Sequence, residues 1–167
     1  MMDELLANIK DLTDEEEIAD YLGKIITKDA GDGSGLIYGF GHAIYTLSDP
    51  RAKILKKNAK KLSAEKGMTD IYEFYKRVEK LVPSVFENVK GSKKVICANV
   101  DFYSGFVYDM LGIESDLFTP LFAVSRIAGW CAHRIEEITY GGRIIRPAYR
   151  SMVKPTGYVP LDERTAD

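Results

Sequence analysis

Apolar residues recur at helical spacing through most of this chain, in segments bounded by residues that begin or end helices. Asp49-Pro50 is a typical beginning, because aspartate caps free backbone N–H groups and proline fits the first helical turn. Asn99 is a second N-cap candidate, and Gly67 and Gly141 follow the last apolar positions of two segments. Residues 36–45, with β-branched and aromatic side chains around glycines, break the helical pattern and are predicted to be an extended segment or turn. The pattern therefore predicts an all-α fold.

The spacing predicts seven helical segments. The second of them begins with the capping box Thr13-Asp14-Glu15-Glu16, and the last, which begins at Ser115-Asp116, is predicted to be the longest. We expect a flexible loop over residues 29–35 and a tail without helical periodicity from Arg143 onward. The predicted helices cover approximately residues 3–12, 13–28, 50–66, 69–81, 83–90, 99–111 and 115–140.

The composition is that of a folded protein and limits its partners. Of the 167 residues, 46% are hydrophobic and 29% are charged, which is typical of globular rather than disordered chains. The net charge of −2 argues against a protein that coats nucleic acid. No apolar run reaches the roughly 20 residues of a membrane helix, and the first residues do not resemble a signal peptide. We therefore expect a cytoplasmic protein that contacts no membrane.

Two local patterns have both a functional and a structural interpretation. Five glycines between Gly31 and Gly41 are typical of a phosphate-binding loop, but no nucleotide-binding motif accompanies them, so a flexible loop is favoured. Arg51 and the lysines from Lys53 to Lys66 make one predicted helix strongly basic. The favoured interpretation is a solvated face that steers anionic ligands, and a helical nucleic-acid-binding module is the alternative.

The cysteines and histidines do not have the spacing of a metal site. Cys131 and His133 fall on opposite sides of a predicted helix, and the spacing to Cys97 and His42 matches no common zinc pattern. We therefore expect no metal, two reduced and buried cysteines, and a hydrogen-bonded histidine.

Three patches carry residues suited to chemistry. His42 follows Gly-Phe-Gly, where the backbone allows a ligand close approach, and Arg51 lies in the next helical turn. Asp101 lies in a first helical turn, a position that either the helix dipole or a general-base role explains. Arg126 is predicted in mid-helix among apolar residues, where a charge needs an anionic partner, and Arg146 follows that helix. The set suggests a di- or tricarboxylate site, but from these residues alone structural ion pairs with a satisfied histidine are the favoured interpretation.

These patches resemble the motifs of the citrate synthase family. Residues 39–51 are similar to its signature, in which Gly-aromatic-Gly-His precedes Asp-Pro-Arg at a fixed distance. Asn-Val-Asp-Phe-Tyr-Ser-Gly at 99–105 resembles its second active-site motif. Residues 126–133 and 143–147 resemble its closing motifs, in the family's order and at similar spacing. The resemblance is strong from residue 36 to about 150 and weak before it.

The resemblance implies an acyltransferase of the tricarboxylic acid cycle, which condenses acetyl-CoA with oxaloacetate and hydrolyses citryl-CoA to citrate and CoA. It implies that Asp101 is the general base for the acetyl-CoA methyl group and that His42 hydrogen-bonds the oxaloacetate carbonyl. Arg51, Arg126 and Arg146 would bind substrate carboxylates, with Arg146 reaching the site of the other subunit in a homodimer.

The resemblance also implies that CoA is a co-substrate and that no cofactor is bound permanently. Thr46 stands where some members carry a basic residue near the CoA phosphates, which weakens that contact. The backbone expected to lie against the CoA adenine is that of Leu36, Ile37, Tyr38, Gly39, Phe40 and Gly41.

The chain departs from the family in its histidines. The family's third catalytic residue is a histidine that polarises the thioester, whereas His42 and His133 both match other motifs here. Residues 1–12 resemble the helix that follows that histidine, so we expect a C-terminal fragment with little or no activity alone. By the family pattern, residues 1–112 are the small domain, and residues 113–167 are a return to the large domain, with a long helix and an extended tail.

That return segment would expose apolar surface. We therefore expect the chain to pair with copies of itself or to keep residues 143–167 loosely packed. The residues that shape the acyl pocket are not distinguishable, so a 2-methylcitrate synthase-type relative that uses propionyl-CoA is the alternative.

Overall fold

Helices form the regular structure of the chain, as the sequence predicts. The computed structural model describes residues 1–92, 95–141 and 157–164. Short 3₁₀ turns lie at Ser115–Leu117 and Leu161–Glu163, and in the described ranges β-pairing is limited to one isolated bridge between Phe40 and Ala98. The helices are α1 (Met2–Asn8), α2 (Glu15–Thr27), α3 (Pro50–Glu65), α4 (Thr69–Lys90), α5 (Val100–Met110), α6 (Phe118–Val124) and α7 (Ile127–Tyr140).

Two of the three predicted caps are confirmed, and one is shifted by a residue. The Asp49 carboxylate accepts from the backbone N–H of Arg51 at the start of α3, and Asn99 caps α5 in the same way. The capping box at Thr13 is wrong, because Asp14 is the residue that caps α2. The backbone N–H of Glu16, which a capping box would direct to the Thr13 hydroxyl, donates instead to Asp14, and the Thr13 hydroxyl itself donates to Asp11.

The predicted break before Pro83 is absent, and α4 is one continuous helix from Thr69 to Lys90. Its first residue is Thr69. Proline removes one helical hydrogen bond, to the carbonyl of Glu79, but Val78, Val82 and Val85 form one buried face across it. Burial of each such side chain contributes about 1.5–3 kcal/mol, so the face as a whole outweighs one lost hydrogen bond.

The long helix predicted from Ser115 to Tyr140 is instead divided. A 3₁₀ turn leads into α6, where Pro120 lies in the first turn and needs no N–H partner. The Ser125 hydroxyl donates to the carbonyl of Phe122 at 2.7 Å and caps the end of α6. The predicted end is confirmed, because α7 ends at Tyr140 with Gly141 as its C-cap.

The chain divides into two compact units, Met1–Ser125 and Arg126–Asp167. In the first, α2 packs on α4 and α3 packs on both α4 and α5. The aromatic residues Phe74, Phe102 and Tyr103 are fully or almost fully buried in its core. The expected domain boundary at residue 112 remains a prediction.

The second unit has no core along its helix. None of the residues of α7 is buried, and its large apolar side chains are more than half exposed. These side chains, called the α7 apolar residues below, are Ile127, Trp130, Ile135 and Ile138. Among the described residues, no helix is long and apolar enough to span a membrane.

Candidate functional site

A short antiparallel bridge joins the two motifs that carry His42 and Asp101. The N–H of Asn99 donates to the carbonyl of Gly39, and the N–H of Gly41 donates to the carbonyl of Cys97, each at 2.8 Å. The Asn99 side-chain amide also donates to the carbonyl of Gly41 at 2.9 Å. Residues far apart in sequence are thereby fixed side by side, with the His42 loop beside the start of α5.

Gly39 is required by the packing of this bridge. Its φ of +86° is unfavourable for other residues, and a Cβ there would lie 2.9 Å from the Cα and Cβ atoms of Phe102. The rings of Phe40 and Phe102 meet edge to face with centroids 4.7 Å apart. The first glycine of the motif therefore permits a close approach between the loop and α5. The close approach of a ligand to this backbone, expected from the sequence, stays a prediction.

The hydrogen bonds of His42 define its tautomer. Its Nδ1 accepts from the backbone N–H groups of Ile44 and Tyr45 at 3.0 and 3.2 Å. A ring nitrogen that accepts carries no proton, so the neutral imidazole holds its proton on Nε2. The Tyr45 ring lies 4.7 Å from the imidazole, centroid to centroid, and the histidine is half-buried. His42 is therefore oriented as a hydrogen-bond donor through Nε2.

Arg51 is held by a buried carboxylate. Its Nε and Nη2 donate to the two oxygens of Asp49 at 3.0 and 2.7 Å, and the Asp49 side chain is inaccessible to solvent. These hydrogen bonds lower the pKa of Asp49 to about 2, against the opposing effect of burial. The guanidinium carbon also lies 5.6 Å from the centroid of the Tyr45 ring. Asp49, which the sequence predicted only as a helix cap, thus fixes the predicted substrate arginine.

Arg51 and His42 each bring a hydrogen-bond donor to the same part of the site. Arg51 Nη2 lies 3.3 Å from His42 Nε2, and in the tautomer defined above both nitrogens carry protons. Two donors cannot satisfy each other, so the pair is suited to an oxygen acceptor that lies in front of both. A carboxylate or carbonyl oxygen has the chemistry that this arrangement requires.

Asp101 lies in the first turn of α5 and is exposed. Its backbone N–H donates to the side-chain oxygen of Asn99 at 2.9 Å. The pKa of Arg51 is raised mainly by its hydrogen bonds to Asp49, with smaller contributions from the charges of Tyr45 and Asp101. The structure thus brings His42, Arg51 and Asp101 into one region of the first unit.

The predicted CoA-contact segment runs through Leu36, Ile37 and Tyr38 before the bridge. Leu36 and Tyr38 are more than half exposed, and the Tyr38 hydroxyl donates to Asp32 at 2.6 Å. Ile37 is partly buried and packs against the core. The segment is therefore anchored by Ile37, while Leu36 and Tyr38 are exposed.

The two remaining predicted substrate arginines are Arg126, the first residue of the second unit, and Arg146. Arg126 is half-buried and precedes α7, so its predicted mid-helix position is wrong, because the helix is divided at that point. Arg146 lies outside the described residues, and so does Arg143, the first arginine of the same motif.

The thiols differ from the expectation of buried cysteines. Cys97 is half-buried, its Sγ donates to the carbonyl of Tyr45, and burial raises its pKa. Cys131 is exposed, because α7 buries none of its residues. His133 is also exposed, with Nδ1 3.4 Å from a carboxylate oxygen of Glu136. Within the described ranges, no group of three or more His, Cys, Asp or Glu side chains is arranged to hold a metal ion.

The basic face of α3 is mostly solvated. Lys56 is half-buried and pairs with Glu79, while Lys53, Lys57, Lys60 and Lys61 are exposed. The alternative role in nucleic-acid binding remains an untested prediction.

Sequence reasoning missed three residues that support this site: Asp49, Asn99 and Tyr45. Two of them had a visible signal, because an Asp or Asn at a helix N-cap next to a candidate site can hold a second partner besides the helix. Nothing in the sequence alone indicates that the Tyr45 ring contacts both His42 and Arg51.

Comparison with known proteins gives a consistent result. The family model of the citrate synthase C-terminal domain matches residues 1–148. The chain is 39% identical over 163 residues to a citrate synthase of Synechocystis sp. and 45% identical over 130 residues to citrate synthase 2 of Bacillus subtilis. These alignments cover 97% and 77% of the chain but only 38% and 32% of the respective relatives. A 2-methylcitrate synthase of Shewanella oneidensis is 38% identical over 158 residues.

A solved structure gives the same assignment. The citrate synthase of Thermoplasma acidophilum, in a ternary complex with carboxymethyl coenzyme A and oxaloacetate, matches with a TM-score of 0.63 at 32% identity. That match covers 98% of this chain and 41% of the other, so the chain spans about two fifths of the length of that protein. The helices, the order of the motifs and these matches agree, and the chain belongs to the citrate synthase family.

Proposed function

We propose that this chain supplies catalytic residues of a citrate synthase-type acyltransferase, which condenses acetyl-CoA with oxaloacetate and hydrolyses citryl-CoA to citrate and CoA. The observation that carries the proposal is the convergence of two donors, His42 Nε2 and Arg51 Nη2, 3.3 Å apart. A 2-oxo acid offers what they require, because its carbonyl and carboxylate oxygens are adjacent acceptors.

In this proposal each residue of the cluster has one role. His42 donates to the oxaloacetate carbonyl and stabilises the alkoxide that develops there, a kind of interaction worth about 2.7–4 kcal/mol in other enzymes. Asp101 removes a methyl proton from acetyl-CoA, for which its exposed carboxylate is accessible. Arg51 binds a substrate carboxylate, and Asp49 fixes its guanidinium. Arg126 and Arg146 bind further carboxylate oxygens, Arg146 across the interface of a homodimer.

CoA binds along the backbone of residues 36–41 in this proposal. The exposure of Leu36 and Tyr38 supports it, as does the Thermoplasma relative, whose complex contains carboxymethyl coenzyme A and oxaloacetate. CoA acts as co-substrate, with no permanently bound cofactor or metal, and the enzyme works in the cytoplasm, in the tricarboxylic acid cycle.

We further propose that the chain by itself turns over little substrate. Its two histidines, His42 and His133, both match other motifs, so it has no residue for the thioester-polarising role. The exposed α7 apolar residues support the same conclusion, because they are suited to packing against further protein.

A 2-methylcitrate synthase activity is the second candidate, since the Shewanella relative matches 93% of the chain. The two candidates share all the residues assigned above and differ only in the acyl-CoA that they accept.

The test uses a chimera in which this chain replaces the aligned segment of the Bacillus subtilis citrate synthase 2. We expect the chimera to release CoA from acetyl-CoA and oxaloacetate, and the chain alone to release almost none. A faster reaction with propionyl-CoA would favour the second candidate. A folded chimera without activity would overturn the proposal, and robust turnover by the chain alone would overturn its incompleteness.

Substitution within the chimera tests the assigned roles. His42→Ala removes the donor to the carbonyl, so kcat should fall about 10²–10³-fold. Tyr158→Phe is a matched control, because Tyr158 is exposed in the second unit and belongs to no motif. An unchanged kcat in His42→Ala would contradict the assignment.

A further inference from the structure

Three side chains from three helices meet behind the candidate site. Tyr103 of α5 is fully buried, and its hydroxyl donates to Glu79 Oε2 of α4 at 2.7 Å. Lys56 of α3 pairs with the same oxygen at 2.5 Å, and its Nζ lies 5.9 Å from the centroid of the Tyr103 ring. One carboxylate oxygen thus connects α3 and α5 through α4.

The two helices joined in this way are those that begin with the candidate site residues. Tyr103 lies two positions after Asp101 in α5, and Lys56 lies five positions after Arg51 in α3. A helix turn is stiff over such distances, because each residue is fixed by backbone hydrogen bonds. A displacement of either anchor therefore moves the first turn that carries the corresponding site residue.

Packing alone does not hold Glu79 in place. An open pocket of about 210 Å³ borders it, lined also by Asp49, Pro83 and Cys97. A side chain that faces an open pocket lacks protein contacts on that side, so the position of the Glu79 carboxylate depends on its two polar partners. Burial, followed by the hydrogen bond to Glu79, raises the pKa of Tyr103 far above its ordinary value, which keeps the hydroxyl a donor at neutral pH.

We propose that Glu79 is a positioning residue for the reaction, acting through Tyr103 on the first turn of α5 and through Lys56 on the first turn of α3. The proposal rests on the proposed function, because Asp101 and Arg51 receive their roles there. It assigns to each partner a separate effect: Tyr103 controls the placement of the base, and Lys56 controls the placement of the substrate arginine.

The kinetic test compares Tyr103→Phe and Lys56→Met in the chimera. Tyr103→Phe keeps the ring but removes the donor, so kcat should fall about tenfold with little change in the KM for oxaloacetate. Lys56→Met keeps the apolar stem but removes the charge, so the KM for oxaloacetate should rise severalfold with little change in kcat. Ile18→Val is the control, because it weakens the core of α2 without touching the network.

A second measurement does not depend on activity. In the isolated chain, amide chemical shifts of Arg51 and Asp101 should change in Glu79→Gln and stay unchanged in Ile18→Val. Gln retains an oxygen that accepts from Tyr103 but loses the ion pair, so the larger change is expected at Arg51.

The outcomes separate this proposal from the proposed function. If the chimera is active and depends on Asp101 while Tyr103→Phe and Lys56→Met behave like Ile18→Val, the positioning role is wrong and the function stands. If the chimera is inactive but Glu79→Gln shifts the Arg51 and Asp101 amides, the coupling through Glu79 stands and the assigned reaction fails. Unchanged amide shifts would refute the coupling itself.

Discussion

The substitution Gly39→Ala isolates the contact that holds the two motifs together. The new Cβ would lie 2.9 Å from two atoms of Phe102, one of them the backbone Cα, so the loop or α5 must move. The positive φ of +86° adds backbone strain. Strain of this kind costs about 1–3 kcal/mol, and overpacking costs about 1–3 kcal/mol more. We therefore expect the free energy of unfolding to fall by about 2–6 kcal/mol.

Gly41→Ala is the matched control for this prediction. Gly41 has a similar φ of +84°, but a Cβ there meets no atom within 4 Å. It should cost only the backbone strain, and the difference between the two variants measures the clash with Phe102. Urea unfolding followed by circular dichroism gives both values. Equal destabilisation by the two substitutions would refute the reasoning, because the clash would then contribute nothing.

Three further variants test other parts of the structure. Asp49→Asn keeps a capping side chain but removes a carboxylate whose pKa is lowered to about 2. The stability that this carboxylate contributes, about 2 kcal/mol, is present above pH 4 and is lost as the pH falls towards 2, so stability–pH curves of the variant should be flatter there than those of the wild type. Pro83→Ala restores a helical N–H inside α4 at an exposed position, and should raise the unfolding free energy by about 2 kcal/mol in the same urea assay. A value at or below that of the wild type would show that α4 accommodates the proline without cost. Ile135→Glu with Ile138→Glu should shift the isolated chain from self-associated species towards monomer in light scattering, whereas Ile54→Glu, on the exposed face of α3, should not. A wild-type chain that is already monomeric would contradict this expectation.

Local signals in the sequence were sufficient for most helix ends in the first unit. Asp49-Pro50 and Asn99 act within a few residues of their own backbone, so their effect does not depend on the rest of the fold. The break predicted before Pro83 was wrong because its outcome does depend on the rest of the fold. Tertiary packing of the valine face of α4 outweighs the local tendency of proline to end a helix. The division between α6 and α7 was missed because an apolar run with helical period continues through it.

The sequence predicted the residues of the candidate site but not the hydrogen bonds and contacts that connect them. The motifs indicated His42, Arg51 and Asp101, yet the sequence contains no information on which carboxylate would hold the arginine. The bridge between Gly39–Gly41 and Cys97–Asn99 is likewise a long-range contact, and its only sequence signal is the glycine pair. The tautomer of His42 follows from two backbone amides in its own loop, which become visible only when the loop is folded.

The most direct test of the central claim is the rate of CoA release by the Bacillus subtilis chimera with and without the substitution Asp101→Asn. Asparagine is close in shape to aspartate and preserves the first turn of α5, but it cannot accept a proton from acetyl-CoA. We expect an active chimera whose kcat falls about 10²–10⁴-fold on Asp101→Asn substitution. The unfolding free energies of the chimera and of this variant should agree closely. An active chimera that is unaffected by Asp101→Asn would contradict the claim that this residue is the general base.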